Sequence, residues 1–446
     1  MIKVSLIAKT SETPTNLISH AAKTCYTSKV PEMGNTMDVE NNLFKTGHHT
    51  TLQHNYYTFN IEGLSISSTI FGLHLTHPFY NTDQRSGRFS KMYAKPDFEE
   101  IKSYILKYWP NCDIENILSF IKKGTEIYQA NIEKATQVAI DFIKEERPFA
   151  TEEYITMNAP KIAQEQLRMF ISTIAPTALD ISVNLSVITA LWRSAWSLEM
   201  REITNQMRDL ILNEYADLAY MFNEEHRRND NWSPKMDFTN PSILKEPQLL
   251  GFDIELLEDL NLKSIAKDSV DLRYFTPENM NNTLSFIKSR IEVSLATMGQ
   301  DQRHRTIKRG IPELNGHFYL PPILEKIGLE KTAQDFLNEY TELIKNLDKN
   351  LALAIAPYGI MSTYSKYADL NGAIHEQEKR LCWSAQEEIY NLSRQLHEKL
   401  LQSGNDEIAE LMTPACYKKA CIEGRRYCGR DVSKLKNDKN IPRRKI

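Results

Sequence analysis

Apolar positions recur at helical spacing over long stretches of the chain and alternate over a few short ones, so the pattern predicts many helices and few strands. Val4 to Ala8 is a short, mostly apolar run expected as a strand, and residues 14 to 25 are expected as a helix ending at Cys25-Tyr26. A second helical segment runs from about Met37 to Thr46 and stops at Gly47. From Tyr56 to Ile61, Tyr57, Phe59 and Ile61 share one face of a half-buried strand. Thr69 to Leu75 reads as a buried helix, and Asp83 to Lys91 as a polar, glycine-containing loop. Between Asp113 and Glu146 lies the clearest amphipathic helix, with Gly124 its one candidate break. Further helical segments are expected at Glu165–Ile174, Leu185–Phe222, Leu284–Thr297, Lys331–Ala354 and Lys379–Gln402. Glu224 to Pro241 is polar, aperiodic and contains two prolines. It is the expected linker, dividing the chain into domains at 1–230 and 231–446.

A chain of 446 residues is too long for one ordinary core, which agrees with two domains. With 41% hydrophobic residues and a formal net charge of -4, it reads as soluble and globular. It is not a polycation built for nucleic acid. The start lacks a continuous apolar run and no stretch is long enough to span a bilayer, so a cytoplasmic location is expected and no membrane partner. Six cysteines are too few for a disulfide framework.

The candidate chemistry centres on Gln300 to Phe318. Arg303 and Arg305 flank the imidazole of His304, with Lys308 and Arg309 behind. Guanidinium forks grip phosphate or carboxylate, and the histidine can donate or accept beside them. A basic triplet alone more often marks a solvated helix face. Here a Gly-Ile-Pro turn and Glu313-Leu314-Asn315-Gly316-His317-Phe318 follow, expected as a tight loop. Three features recur in order across the chain: a [Ser/Asn]-Gly-[Arg/His]-Phe loop at 86–89 and 315–318, an Ala-Pro junction at 175 and 356, and a helix carrying Glu-Ile at 202 and 388. Their unequal spacing indicates an old, uneven duplication.

These pieces resemble the flavin-dependent thymidylate synthase family, whose signature is an Arg-His-Arg run followed by a Ser-Gly-Arg-Tyr loop. Gly47-His48-His49-Thr50-Thr51-Leu52-Gln53-His54 before the Tyr56 strand resembles the family's Gly-His element, and Ser86-Gly87-Arg88-Phe89 its loop. Arg-His-Arg is missing from the first half, where Thr76-His77-Pro78 stands. The second half keeps Gln300, Arg303-His304-Arg305 and Glu313-Leu314, but has Asn315-Gly316-His317-Phe318 in place of the loop. Arg380 and Ala385-Gln386-Glu387-Glu388-Ile389 resemble the family's next element, and the first half keeps Glu202-Ile203 with Arg193 nearby. The fold this implies is α+β: two tandem thymidylate-synthase-like domains, each a mainly antiparallel sheet packed with long helices.

The resemblance implies reductive methylation of dUMP to dTMP, with methylenetetrahydrofolate giving the carbon, FAD the hydride and NADPH the electrons. Carried over position by position, it gives Arg380, Arg303 and Gln300 catalytic roles. It places Ser86, Gly87, Arg88, Gln300, Arg303, Glu313 and Arg380 on the nucleotide, and His304, Arg305, His54 and Asn371 on the flavin, with Asp369 close by. Since the motifs are split between halves, the implied assembly is a homodimer forming a pseudo-tetramer with two composite working sites and two degenerate ones. A diverged enzyme acting on another pyrimidine nucleotide, or a non-catalytic flavin- or nucleotide-binding scaffold, are the alternatives. No metal is expected. Cys416, Cys421 and Cys428 have four and six intervening residues, unlike zinc knuckles, with no fourth ligand apparent. Lys434 to Ile446 is expected as a solvated end.

Overall fold

A computed structural model describes residues 1–76, 81–88, 95–260, 262, 270–418, 420–431 and 441–446. The strands are β1 (Lys3–Lys9), β2 (Tyr56–Ser65), β3 (Asn81–Gln84), β4 (Pro176–Asn184), β5 (Lys235–Met236), β6 (Ser242–Leu244), β7 (Gln248–Glu255), β8 (Phe286–Ser294), β9 (Lys308–Arg309), β10 (Glu313–Tyr319) and β11 (Ile360–Asp369). The helices that matter are α1 (Pro14–Thr24), α2 (Phe98–Tyr108), α3 (Ile114–Glu146), α4 (Glu152–Leu167), α5 (Leu185–Ser194), α6 (Leu198–Leu212), α7 (Leu295–Asp301), α8 (Glu330–Ile344), α9 (Leu370–Arg380) and α10 (Glu387–Gln402). One sheet has the order β1-β2-β4-β3, and the other β5-β10-β11-β8-β7. The first is antiparallel throughout, as are the β7-β8-β11-β10 ladders of the second, while β5 and β6 run parallel to β10.

The same construction occurs in both sheets. Ser65 ends β2 and caps the next turn by accepting from the Ser68 amide, while its hydroxyl donates to Glu199 at 3.0 Å. Ser294 ends β8, accepts from the Thr297 amide and donates to Glu388 at 2.5 Å. Both glutamates are buried and lie in the first turn of a helix, α6 or α10. Glu199, not Glu202, is therefore the counterpart of Glu388. The third long strand of each sheet, β4 or β11, runs into a helix capped by Asn184 or Asp369. The two Ala-Pro junctions lie against each other: the Thr173 amide donates to the Ala356 carbonyl at 2.8 Å, and that of Tyr358 to Ile171 at 2.9 Å. One continuous hydrophobic core runs from Ile2 through Phe120, Phe170 and Phe336 to Tyr364. Within it Phe120 of α3 stacks on Phe336 of α8 at 4.5 Å. Gly124 does not break α3; its bare Cα lets the helix approach the Phe170 carbonyl, where a side chain would collide.

Several expected elements differ. Met37–Thr46 holds only a five-residue π-helical turn, Glu40–Phe44. Helix α4 starts earlier than expected and stops at Leu167, because the chain must enter the Ala-Pro junction extended. Leu185–Phe222 divides into α5, α6 and a 3-10 turn, and Lys331–Ala354 into α8 and Lys349–Ala354. Leu284–Thr297 is mostly strand β8, since Ile287, Ile291 and Val293 are buried between two neighbouring strands. The Asn315–Phe318 loop is strand β10, with an irregularity where Gly316 takes φ +71. Lys379–Gln402 is broken at Leu381–Gln386. The expected linker is not free: Arg227 donates to the Trp192 carbonyl, and the Trp232 amide to that of Trp196. The segment 441–446 is not solvated, for Ile441, Arg444 and Ile446 are buried. The preceding tail residues 432–440, Phe89 to Ala94 and His77-Pro78 lie outside the described residues.

The turn after α7 rests on a buried ionic network. Asp301, only 1% exposed, accepts from Arg309 Nε at 2.5 Å, Tyr364 at 3.0 Å and Lys366. Lys366 also meets Glu376 at 2.6 Å. Burial pushes the Asp301 carboxyl up, but Arg309 and Lys366 overcome it and hold it well below the usual range, whereas burial leaves Glu376 raised. Breaking one partner of such a network leaves uncompensated buried charge. Lys366→Met is therefore expected to cost about 3–5 kcal/mol of stability, read as a lowered urea midpoint.

Arginines from this turn clasp the first sheet. Arg305 donates to the Thr82 carbonyl at 2.8 Å and hydroxyl at 2.9 Å, and Arg303 reaches the same carbonyl at 3.4 Å. His74 bonds the Thr82 hydroxyl at 2.9 Å. Burial, with Arg303 and Arg305 beside it, pushes His74 from 6.5 to about 3. The unfolded chain thus takes up this proton first, so stability is full above pH 6.5 and falls as pH drops from there toward 3. His397, lowered by burial to about 4, acts in the same window. Urea midpoints measured across it should fall less steeply in His74→Gln than in the parent.

Candidate nucleotide and flavin site

Elements from both halves meet around Gln300, at the end of α7. Arg380, in the last turn of α9, donates to the Gln300 carbonyl at 2.6 Å, and the Gln300 amide nitrogen donates to the Gln386 side chain. Arg168, just past α4, donates to the same Gln386 oxygen at 3.0 Å. The break at Leu381–Gln386 is what turns Gln386 inward, where it is completely buried.

The Ser86-Gly87-Arg88 turn docks beside this cluster. Arg88 pairs with Glu165 through Nε and donates from Nη2 to the Ser384 carbonyl at 3.0 Å. Gln164 donates to the Gly87 carbonyl at 2.9 Å, and the Ser86 hydroxyl accepts from the Arg88 amide. Helix α4 thus holds the turn through two successive residues. Burial sets the Arg380 guanidinium below its usual range, against the pull of Glu376 and Asp301 and with a smaller contribution from Arg88. Two atoms here are buried without a hydrogen-bond partner among the described residues: Gln300 Oε1, an acceptor, and Arg380 Nε, a donor. Buried polar atoms are usually satisfied, so this acceptor and this donor are free to meet a ligand or water.

The Arg-His-Arg run serves two surroundings. His304 is buried against His375, with ring centroids 5.5 Å apart, and burial together with Arg380 keeps its imidazole neutral. Arg305 lines a cavity of about 720 Å³ walled by Trp196, Trp232 and Ile311 and flanked by Arg228 and Lys308. Trp196 and Trp232 meet edge to face at 6.1 Å. Gln302 also lines it, and its buried Oε1 lacks a partner among the described residues. Aromatic walls with several cations suit a flat heterocycle carrying phosphates.

The other sequence-expected residues lie elsewhere. Glu313 is on β10, 3.5 Å from Arg290. His54 is exposed at the end of a 3-10 turn. Asn371 is completely buried, its amide donating to the Arg273 and Asn279 carbonyls. Asp369 caps α9 and accepts from Tyr274 at 2.8 Å. His317 pairs with Glu292 at 2.7 Å, and that bond raises its pKa. Sequence reasoning missed Glu165, Arg168 and Gln386 as partners, although Gln386 stood within the quoted Ala-Gln-x-Glu-Ile run. It also missed Cys382, which lies near Cys416 and Cys428; burial pushes the Cys416 thiol up to about 11. Among the described residues no group of three His, Cys, Asp or Glu is arranged to hold a metal ion, and no helix is long and apolar enough to cross a membrane.

Comparison with known proteins gives the following. No curated protein matches the chain. Among solved structures, thymidylate synthase X from Helicobacter pylori with FAD and dUMP is 19% identical, covering 51% of this chain and 100% of that one at a TM-score of 0.30. A UMP/dUMP methylase from Streptomyces cacaoi bound with 5-Br dUMP is 13% identical, covering 48% and 90% at 0.32. Residues 5–215, which include Ser86, Gly87 and Arg88, match the family model described as thymidylate synthase complementing protein, and that segment belongs to the flavin-dependent thymidylate synthase family.

Proposed function

We propose that the chain methylates dUMP reductively to dTMP, using FAD with methylenetetrahydrofolate and NADPH as co-substrates, at one composite site to which both halves contribute. The observation that carries this reading is the meeting of Ser86–Arg88 with Gln300, Arg380 and Gln386 inside a single chain. The pieces carried by the two halves are neighbours within one chain, and a homodimer would hold two such sites.

The unmet acceptor and donor fit a uracil ring. In this reading Gln300 Oε1 would accept from the imide N–H, and Arg380 Nε would donate to the adjacent carbonyl. As the ring is reduced, negative charge grows on that carbonyl oxygen, and a desolvated guanidinium stabilises it more than an exposed one could. Arg88 takes the phosphate by exchanging its bond to Glu165, so one guanidinium serves the empty and the filled state. His317 has no comparable role, being engaged with Glu292. Bound FAD supplies the redox chemistry. In this reading Trp196 and Ile311 would flank its rings, and Arg228, Arg305 and Lys308 would hold its phosphates.

Tritium release from dUMP labelled at carbon 5, with NADPH and methylenetetrahydrofolate supplied, tests the reaction. The parent should release tritium, Arg88→Ala should raise the KM for dUMP about a hundredfold, as loss of a charged phosphate contact does, and His317→Ala should change it less than threefold. A yellow protein that releases none acts on another acceptor, and one that binds neither FAD nor dUMP is not this enzyme.

A further inference from the structure

The segment 441–446 crosses the molecule far from any role assigned so far, yet it ends against the loop that carries Ser384 and Gln386. Arg444 is 1% exposed. Its guanidinium donates to the Trp383 carbonyl at 2.7 Å and to the Ala385 carbonyl, and lies 4.5 Å over the Tyr390 ring. Its backbone is fixed too, since Asn391 accepts from the Arg444 amide at 3.3 Å and donates to its carbonyl at 3.0 Å. The carbonyl between the two gripped ones, that of Ser384, is the one that accepts from Arg88.

The same segment also ties down α4. Gln166 donates to the Lys445 carbonyl at 2.8 Å, and Glu146 accepts from the Lys445 amide at 2.8 Å. Gln166 thus faces the strap while the adjacent Glu165 holds Arg88, and Arg168, two residues on, holds Gln386. Both walls of the nucleotide site are therefore pinned by one short segment, and the Leu381–Gln386 loop has neither helix nor ladder of its own to fix it.

We infer that Arg444 is a positioning residue for nucleotide binding: by gripping the carbonyls on either side of Ser384 it sets where Arg88 and Gln386 stand, and so the affinity for the nucleotide but not for the flavin. This rests on the nucleotide reading of the site given above. A buried guanidinium serving two carbonyls cannot be replaced by an ammonium without losing one of them, because the two acceptors match a planar fork.

The test uses the full chain and the variants Arg444→Lys and Arg444→Met, with dUMP and FAD affinities by calorimetry, thermal midpoints, and amide hydrogen exchange. For Arg444→Lys the dissociation constant for dUMP should rise about tenfold, the equivalent of one lost charge-assisted hydrogen bond. FAD affinity should stay within about twofold, the scale of an unperturbed site. Exchange should quicken in peptides covering 381–388 and not in α3. Arg444→Met should show the same selectivity, more strongly. Equal losses of dUMP and FAD binding alongside a lower midpoint would make the strap merely structural and overturn the inference. So would unchanged exchange across 381–388. A parent protein that binds no dUMP defeats the nucleotide reading; the exchange result then still decides whether Arg444 sets the loop.

Discussion

A carboxylate that stays ionised away from water has to be matched by cations, and Asp301 is matched by two, Arg309 and Lys366, with Tyr364 as a third donor. That requirement shapes everything around it. Arg309 bonds back to the carbonyls of His304 and Ile307, so the turn carrying the Arg-His-Arg run cannot open without stranding the charge. With the turn closed, Gln300 faces Arg380 on one side, and Arg303 and Arg305 reach Thr82 on the other. The ionic network is thus below the site, the site above it, and the first sheet clasped at its edge.

The two sheets show how one construction can take unequal parts. Both use a serine at a strand end to cap a turn and to hold a buried glutamate, Ser65 with Glu199 and Ser294 with Glu388. Those are framework bonds, and they persist on both sides. The groups of the proposed site do not. Arg88 belongs to the first half and the Gln300 and Arg380 pair to the second, while His317, opposite in sequence to Arg88, is spent on Glu292 within its own sheet. The bonds from Arg88 to Ser384 and from Arg303 and Arg305 to Thr82 add to the shared core and the Ala-Pro junctions in joining the halves.

From the chain alone Gln300, Arg380 and Ser86–Arg88 were expected to share one site, and the structure brings them close together, while Glu313, His54 and Asn371, grouped with them, lie elsewhere. What periodicity misread was where tertiary surroundings decide. Strand β8 looks helical in isolation because Ile287, Ile291 and Val293 satisfy both spacings, and only burial between β7 and β11 chooses. The break at Leu381–Gln386 is hidden because Leu381, Ala385 and Ile389 continue a helical stripe across it. Arg444 sits in a basic run that reads as solvated, and nothing local shows that two carbonyls 59 and 61 residues away need its guanidinium. Glu165 and Arg168 were invisible for the same reason: their partners are far off in sequence.

If the halves have divided the work, each chain has one place for the nucleotide although its architecture is double. Calorimetric titration of FAD-loaded protein with dUMP counts those places directly. One dUMP bound per chain is the expected result. Two per chain would mean that each half keeps its own complete site, and would contradict the account at its centre.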